Sequence, residues 1–246
     1  MDPYAKRHAP TAISDITRDY ERLGYAIVAS PFEASEIDRW RVECDRLWSL
    51  PDVADSSHSR VDLRDAMDGS RVPERLDPVI DVSPLFAALA RDERILRIAS
   101  ALLRDDPLLF KDKLIAKTPG TTGYRTHQDF SYIEFFGFPA DHQLAAALAV
   151  DAAGAENGAI EVFPSLHDRL LPSTADDKHL IEESALDATS AVMIELQPGD
   201  MLMLHSLCPH RSRPNLASGP RRLLFFTYNA AASGDHYATY YRLGKP

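Results

Sequence analysis

The sequence predicts an antiparallel β-barrel with helices packed outside it. Three observations carry that prediction. Before Pro107 the apolar residues recur mainly at helical spacing, and after it the chain breaks into short apolar runs separated by turn residues. Helices followed by strands, rather than alternating with them, point to a barrel with an outer helical layer. With 246 residues, 45% of them hydrophobic, there is ample material for one compact core, and no linker divides it.

Residues 11–24 read as a helix, with Thr11 and Ser14 available as caps and Ile13, Ile16, Tyr20 and Leu23 at helical spacing. Gly24 can end it. YAIVAS (25–30) is a short apolar strand. Residues 34–49 form a second helix, with Ile37, Trp40, Val42, Cys44 and Leu47 towards one side. Residues 51–75, rich in Asp, Ser and Arg, read as a loop. Residues 83–104 read as one broken helix or two consecutive ones. The strand candidates are 108–117, 144–150, 159–163, 191–196, 201–206 and 223–229. LAAALAV (144–150) has helical propensity too, but its flanks favour strand. PGT (119–121), ENG (156–158), PGD (198–200) and SGP (218–220) are breakers. The expected organisation is one domain over 1–246, helical up to about residue 105 and barrel-like from about 107 to 230.

Lys plus Arg is 27 and Asp plus Glu is 37, a net charge of −10. An acidic chain repels phosphate backbones and anionic bilayers, so neither nucleic acid nor a membrane is an expected partner. A small anionic substrate remains open, since it needs only a local cluster of Arg and Lys. Cys44 and Cys208 are too few for a disulfide framework and suit a reducing compartment. The polar start MDPYAKRHAP and the lack of any apolar run of membrane-span length complete the expectation of a soluble, cytoplasmic protein. A Gly-rich phosphate loop, a nucleophile elbow and a CxxC pair are all absent. Oligomeric state is not legible.

His127 and Asp129 lie in HQD (127–129). On an extended segment residues i and i+2 point the same way, so both can reach one metal. An HxD pair with a distant histidine is the ligand set of a 2-His-1-carboxylate site. Such a site holds Fe(II) on one face and leaves positions open for a cosubstrate and O2. HQD alone carries little weight in a chain with nine histidines. The third ligand must come from another strand, and His205 and His210 compete for that place. His210 is favoured, because Ser212 follows it by two residues and Arg221 by eleven. The intervening PNLASGP reads as a turn, so Arg221 opens the next antiparallel strand. An arginine there can make a bidentate pair with the far carboxylate of 2-oxoglutarate, and Ser212 can add a hydroxyl donor. His205 has no such followers.

These residues give the chain a resemblance to the phytanoyl-CoA dioxygenase family of Fe(II)/2-oxoglutarate oxygenases. RDYERLGYAIV, FKDKLIAKTPG, HQDFSY, ENGAIEVFPSLH, LQPGDMLMLHSLCPH and RRLLFFTYN carry it across most of the chain. One departure is FPSLH (163–167), where the family usually has Pro-Gly-Ser-His, which bears on the turn there. The resemblance implies a mainly β fold with flanking helices, a cupin-like double-stranded β-helix or jelly roll. It implies that His127, Asp129 and His210 hold the iron. 2-Oxoglutarate would chelate the metal by its keto acid end, with Arg221 and Ser212 on its other end. The products would be succinate, carbon dioxide and an oxidised small molecule. It also places the strand carrying Lys113 near the cosubstrate, although Lys111, Lys113 and Lys117 alternate as a solvated face would. Gln128 and Tyr132, flanking the ligands, are candidates either for the pocket and its cosubstrate or for a packing role. Related halogenases have a small residue in place of Asp129, so an aspartate argues for oxygenation. A catalytically silent jelly-roll binding protein is the rival reading, and it would need no complete iron set. Arg222 should face away from the pocket as a surface charge. His142, His167, His179 and His236 read as solvated, His205 as a satisfied strand-end histidine, and FSYIEFFGF (130–138) as core or lid.

Overall fold

The computed structural model describes residues 5–51 and 60–243. Two sheets form the framework. The larger runs β1 (Arg7–His8), β2 (Tyr25–Val28), β10 (Met201–His205), β7 (Gln143–Ala149), β12 (Arg221–Ala230), β5 (Pro107–Lys117), β4 (Arg71–Leu76), β3 (Val61–Asp65). The smaller runs β6 (Tyr124–His127), β11 (His210–Ser212), β8 (Ile160–Val162), β9 (Val192–Ile194). Pairing is antiparallel throughout except between β1 and β2. This is the two-sheet arrangement of a jelly roll.

Alternation along each strand explains why the apolar runs look continuous. In β7, Ala145, Ala147 and Ala149 join a core shared with Ile160, Val162, Val192 and Ile194 of the smaller sheet. Leu144, Ala146 and Leu148 join a second core on the opposite face. Leu202, Leu204, Leu223 and Phe225 belong to the first core, and Met201, Met203, Leu224 and Phe226 to the second. A strand buried on both faces has no polar alternation to display. Helices α1 (Ile13–Leu23), α2 (Ala34–Ser49), α3 (Pro84–Leu89) and α4 (Glu93–Leu103) cover that second face with Ile16, Trp40, Leu47, Phe86 and Ile98. Gly24, at φ +83, ends α1 and donates its N–H to the Tyr20 carbonyl at 2.8 Å. No helix among the described residues is long and apolar enough to cross a membrane.

Several elements depart from the sequence reading. Residues 52–59 of the expected loop lie outside the described residues, but 61–76 form the β3–β4 hairpin at the edge of the larger sheet. The hairpin is polar because only a few of its residues are buried, which hides a strand from composition. With β1 and β2 it gives the segment before residue 107 strands as well as helices. Residues 83–104 are two helices, α3 and α4, split around Asp92, whose carboxylate caps the second by accepting from Arg94 N–H at 2.9 Å. A further helix, α5 (Tyr237–Leu243), follows the barrel. Val42 is 69% exposed, so it is not on the buried face of α2. In FPSLH, Ser165 adopts φ +62 where the family has glycine. Its N–H reaches the Leu23 carbonyl at 2.9 Å and its hydroxyl the Arg22 carbonyl at 3.0 Å. Those contacts hold a serine in the left-handed turn.

Arg222 does point away from the sheet–sheet core, yet it is no loose surface charge. It grips Asp151 with two hydrogen bonds, at 2.7 and 2.9 Å, and reaches Asp45 of α2 at 2.6 Å. This network ties β12 to the helical layer. Arg222→Leu should therefore cost roughly 2–3 kcal/mol, since it leaves a partly buried carboxylate uncompensated. That corresponds to a fall in Tm of roughly 5–10 °C. An unchanged Tm in thermal unfolding would show that the network contributes no net stability.

Candidate active site

The smaller sheet brings the two histidines together. His127 ends β6, His210 begins β11, and they are directly paired across the strands. Their ring centroids are 4.2 Å apart. Gln128 continues the extended backbone, at φ −118 and ψ 126, before the chain turns into a short 3-10 segment at Asp129–Tyr132. His127 and Asp129 therefore emerge on one side, as the spacing predicts. One ligand atom from each of His127, Asp129 and His210 lies within 4.8 Å of the others, a group able to hold a metal ion. His205 is elsewhere. It packs between Tyr20 and His167, and its Nδ1 accepts from Leu207 N–H at 3.1 Å.

The hydrogen bonds prepare the donors. His127 Nδ1 is 2.8 Å from the Arg125 carbonyl, and His210 Nδ1 is 3.0 Å from the Cys208 carbonyl. A carbonyl can only accept, so each Nδ1 carries the proton and each Nε2 lone pair is free for a metal. Burial, reinforced by His210, pushes the His127 imidazole down to about 3, and burial also lowers His210. Burial opposes ionisation of Asp129, but Lys111, His210 and Lys113 outweigh it and hold its carboxyl below the usual range. Neutral imidazoles beside an ionised carboxylate are the protonation states that metal binding requires. The nitrogen and oxygen donor set fits ferrous iron.

A second feature stands where β12 and β5 pair. Arg221 lies opposite Lys117 and is only 2% exposed. Its Nη2 donates to the Gly158 carbonyl at 2.9 Å, its Nε has no partner, and no described carboxylate forms an ion pair with it. Burial lowers its pKa to about 10, so it stays charged at neutral pH. A buried guanidinium without an anion is costly unless a ligand supplies one. Ser212 Oγ accepts from Lys117 Nζ at 2.9 Å and from Tyr124 N–H at 3.2 Å, which leaves its own proton for an incoming acceptor. Lys117 also donates to the Thr122 and Arg213 carbonyls, at 3.2 and 2.7 Å. Burial, with Arg221 nearby, lowers it to about 7. Gly158 sits at φ +82, and a Cβ there would meet Lys117 Cδ at 2.5 Å, so the close approach of this loop requires glycine.

One cavity of about 630 Å³ joins the two features. His127, Asp129, His210, Ser212 and Arg221 line it, together with Lys111, Lys113, Ile115, Tyr124, Tyr132, Phe225 and Tyr240. The lysines expected on a solvated strand face point inwards instead: Lys111 and Lys117 are buried and Lys113 is partly buried. Gln128 is not part of the lining. The alternation that unites His127 and Asp129 sends its side chain the other way. There it donates to the Arg169 and Leu207 carbonyls at 2.8 and 2.6 Å and accepts from Leu171 N–H at 2.8 Å. It braces the segment around 169–171 rather than meeting a ligand. Tyr132 does line the cavity, stacked on His179 with centroids 4.2 Å apart.

The histidines read as solvated, His142, His167, His179 and His236, are all partly buried and partnered. Within FSYIEFFGF, Ile133 and Phe138 join a small core with Phe110 and Tyr240, whereas Phe135 is 63% exposed. Sequence reasoning missed Tyr124, Arg75, Lys111 and Tyr240 as lining residues. Arg75 and Tyr240 come from the hairpin and the last helix, neither of which was foreseen. For Lys111 the usable signal was its place in register with Lys113 and Ile115 on a strand whose other face is apolar except for Asp112.

Comparison with known proteins places the site in context. The family model described as "Phytanoyl-CoA dioxygenase (PhyH)" matches residues 20–223. A methylphosphonate hydroxylase from Gimesia maris is 36% identical over 169 residues, covering 69% of this chain and 63% of the relative. A 2-aminoethylphosphonate dioxygenase from an uncultured bacterium is 27% identical over 174 residues, covering 71% and 65%. The match thus spans just under two thirds of either relative's own length. Among solved structures, EctD from S. alaskensis with 2-oxoglutarate and 5-hydroxyectoine superposes with a TM-score of 0.77 at 21% identity, covering 95% of this chain and 82% of that one. That likeness establishes the jelly-roll fold.

Proposed function

This chain belongs to the phytanoyl-CoA dioxygenase family, and on that premise we propose that it is an Fe(II)- and 2-oxoglutarate-dependent dioxygenase that hydroxylates a small molecule. One observation carries the reading: a metal-ready His127–Asp129–His210 group and a buried, anion-free Arg221 open onto the same cavity. A monofunctional binding protein would have no use for both.

In this reading His127, Asp129 and His210 would hold the iron. Arg221 and Ser212 hold the distal carboxylate of 2-oxoglutarate, and Lys117 fixes the Ser212 hydroxyl so that its proton points outwards. Bound ferrous iron and 2-oxoglutarate supply dioxygen activation: one oxygen atom enters succinate as carbon dioxide leaves, and the other becomes the new hydroxyl. The chain's own residues bind and orient. Tyr132, Tyr240, Phe225 and Ile115 enclose the reacting centre and limit water. Asp129 would supply the carboxylate ligand whose loss would admit a halide, which supports oxygenation.

The substrate is small. A cavity of about 630 Å³ must also take the cosubstrate, and the methylphosphonate and 2-aminoethylphosphonate named for the two relatives support a compact, polar molecule. The two free, buried cysteines suit work in the cytoplasm, as one oxygenase domain. The test is a screen of small polar metabolites for succinate release by the iron-loaded protein. At least one compound should raise succinate above the uncoupled background in step with oxygen uptake. No consumption of 2-oxoglutarate under any condition would refute the activity.

A further inference from the structure

Lys111 and Lys113 lie two residues apart on β5, so both reach the cavity that holds His127, Asp129 and His210. Lys111 is only 6% exposed. Neither ammonium makes a hydrogen bond or an ion pair with any described residue. Lys111 Nζ lies 5.7 Å from the Tyr240 ring centroid, and Lys113 Nζ lies 5.0 Å from that of Phe225. The other cations of the lining are already engaged. Arg64 donates to the Gly123 carbonyl, Arg75 to Asp62 and Arg211 to Glu161. Arg125 is exposed.

The charge balance points the same way. A ferrous ion, the Asp129 carboxylate and the two carboxylates of 2-oxoglutarate sum to one negative charge, which Arg221 cancels. Lys111 and Lys113 remain in excess. Two ammonium groups largely removed from water, each set on an aromatic ring with no described anion in direct contact, leave a place for one to bind. Asp129 and Asp77 are the carboxylates that act on both, and neither lies within ion-pair distance of either lysine.

We propose that Lys111 and Lys113 clamp the anionic head of the substrate, a compact oxyanion, beside the iron. The proposal rests on the oxygenase reading, which assigns 2-oxoglutarate to Arg221. The rest of such a substrate would lie against Tyr240 and Phe225, with its C–H bond turned towards His127, Asp129 and His210.

Binding tests this without turnover. The protein is loaded anaerobically with Fe(II) and 2-oxoglutarate, and loading is verified first by the visible absorption of that complex. Methylphosphonate, inorganic phosphate, acetate and choline are then titrated by calorimetry. The wild type should bind at least one oxyanion and should not bind choline. Lys111→Met and Lys113→Met should each weaken oxyanion binding about tenfold or more, as loss of a charged hydrogen bond does. Affinity for 2-oxoglutarate should stay within about twofold by the same scale. Lys111→Arg should recover much of the binding, which separates loss of charge from loss of packing. Failure to load the protein would strike at the oxygenase reading instead. With loading intact, three results overturn the clamp: no oxyanion binds, both Met variants bind like wild type, or the Met variants lose 2-oxoglutarate rather than the oxyanion.

Discussion

His210→Ala is expected to abolish turnover and strip the protein of iron, while His205→Ala keeps its metal. The two histidines are five residues apart and both buried, so burial does not separate them. Geometry does. His210 pairs with His127 across β6 and β11 and keeps its Nε2 free, whereas His205 is taken up by Leu207 N–H and the rings of Tyr20 and His167. Losing an outer partner of a metal ligand typically costs about 10–100-fold, and losing the ligand itself should exceed that. The check is iron per chain after gel filtration, alongside turnover and circular dichroism. Equal iron loss in both variants, with the fold intact, would mean that the distal ligand is wrongly chosen.

Arg221→Leu carries the second large effect. Its KM for 2-oxoglutarate should rise on the order of 10- to 150-fold, from the roughly 1.5–3 kcal/mol of a hydrogen bond to a charged group. Leaving the cosubstrate carboxylate buried and unpaired pushes the effect towards the upper end. Iron affinity should be spared, because Arg221 sits among Gly158, Lys117 and Ser212 rather than beside the metal group. Arg222→Leu is a poor control for this experiment, since it breaks the Asp151 and Asp45 contacts. Ser212→Ala is better, and a smaller rise in the same KM is expected of it. A large loss of iron in Arg221→Leu, or an unchanged KM, would contradict the assignment.

How far the site was legible follows from the range of the signals. The spacing of His127 with Asp129, and of His210 with Ser212, is set by local backbone alternation, and the turn that follows brings Arg221 to the same cavity. The same alternation excludes Gln128 from the cavity, a consequence that its position between two ligands obscures. Lys111 and Lys117 needed knowledge of which face of β5 looks into the barrel, and that depends on pairing with β12 far along the chain. Arg64 and Arg75 reach the cavity from an edge hairpin whose exposure makes it polar and loop-like. The apolar strands were legible because burial on both faces leaves unbroken hydrophobic runs. The two-residue strand β1 and the three-residue β11 are too short to show any period, and are held by neighbours rather than by propensity. Arg222 was correctly oriented but not correctly valued, because its partners come from α2 and the segment after β7.

The central claim is that one metal group and one anion site serve a single cosubstrate. An anaerobic titration tests it most directly. Fe(II) alone and 2-oxoglutarate alone should give no visible absorption, and the two together should give a weak charge-transfer band that saturates at one iron per chain. Arg221→Leu should shift the 2-oxoglutarate dependence of that band and leave its iron dependence in place. If no band forms and calorimetry detects no 2-oxoglutarate binding with iron present, the cosubstrate assignment fails.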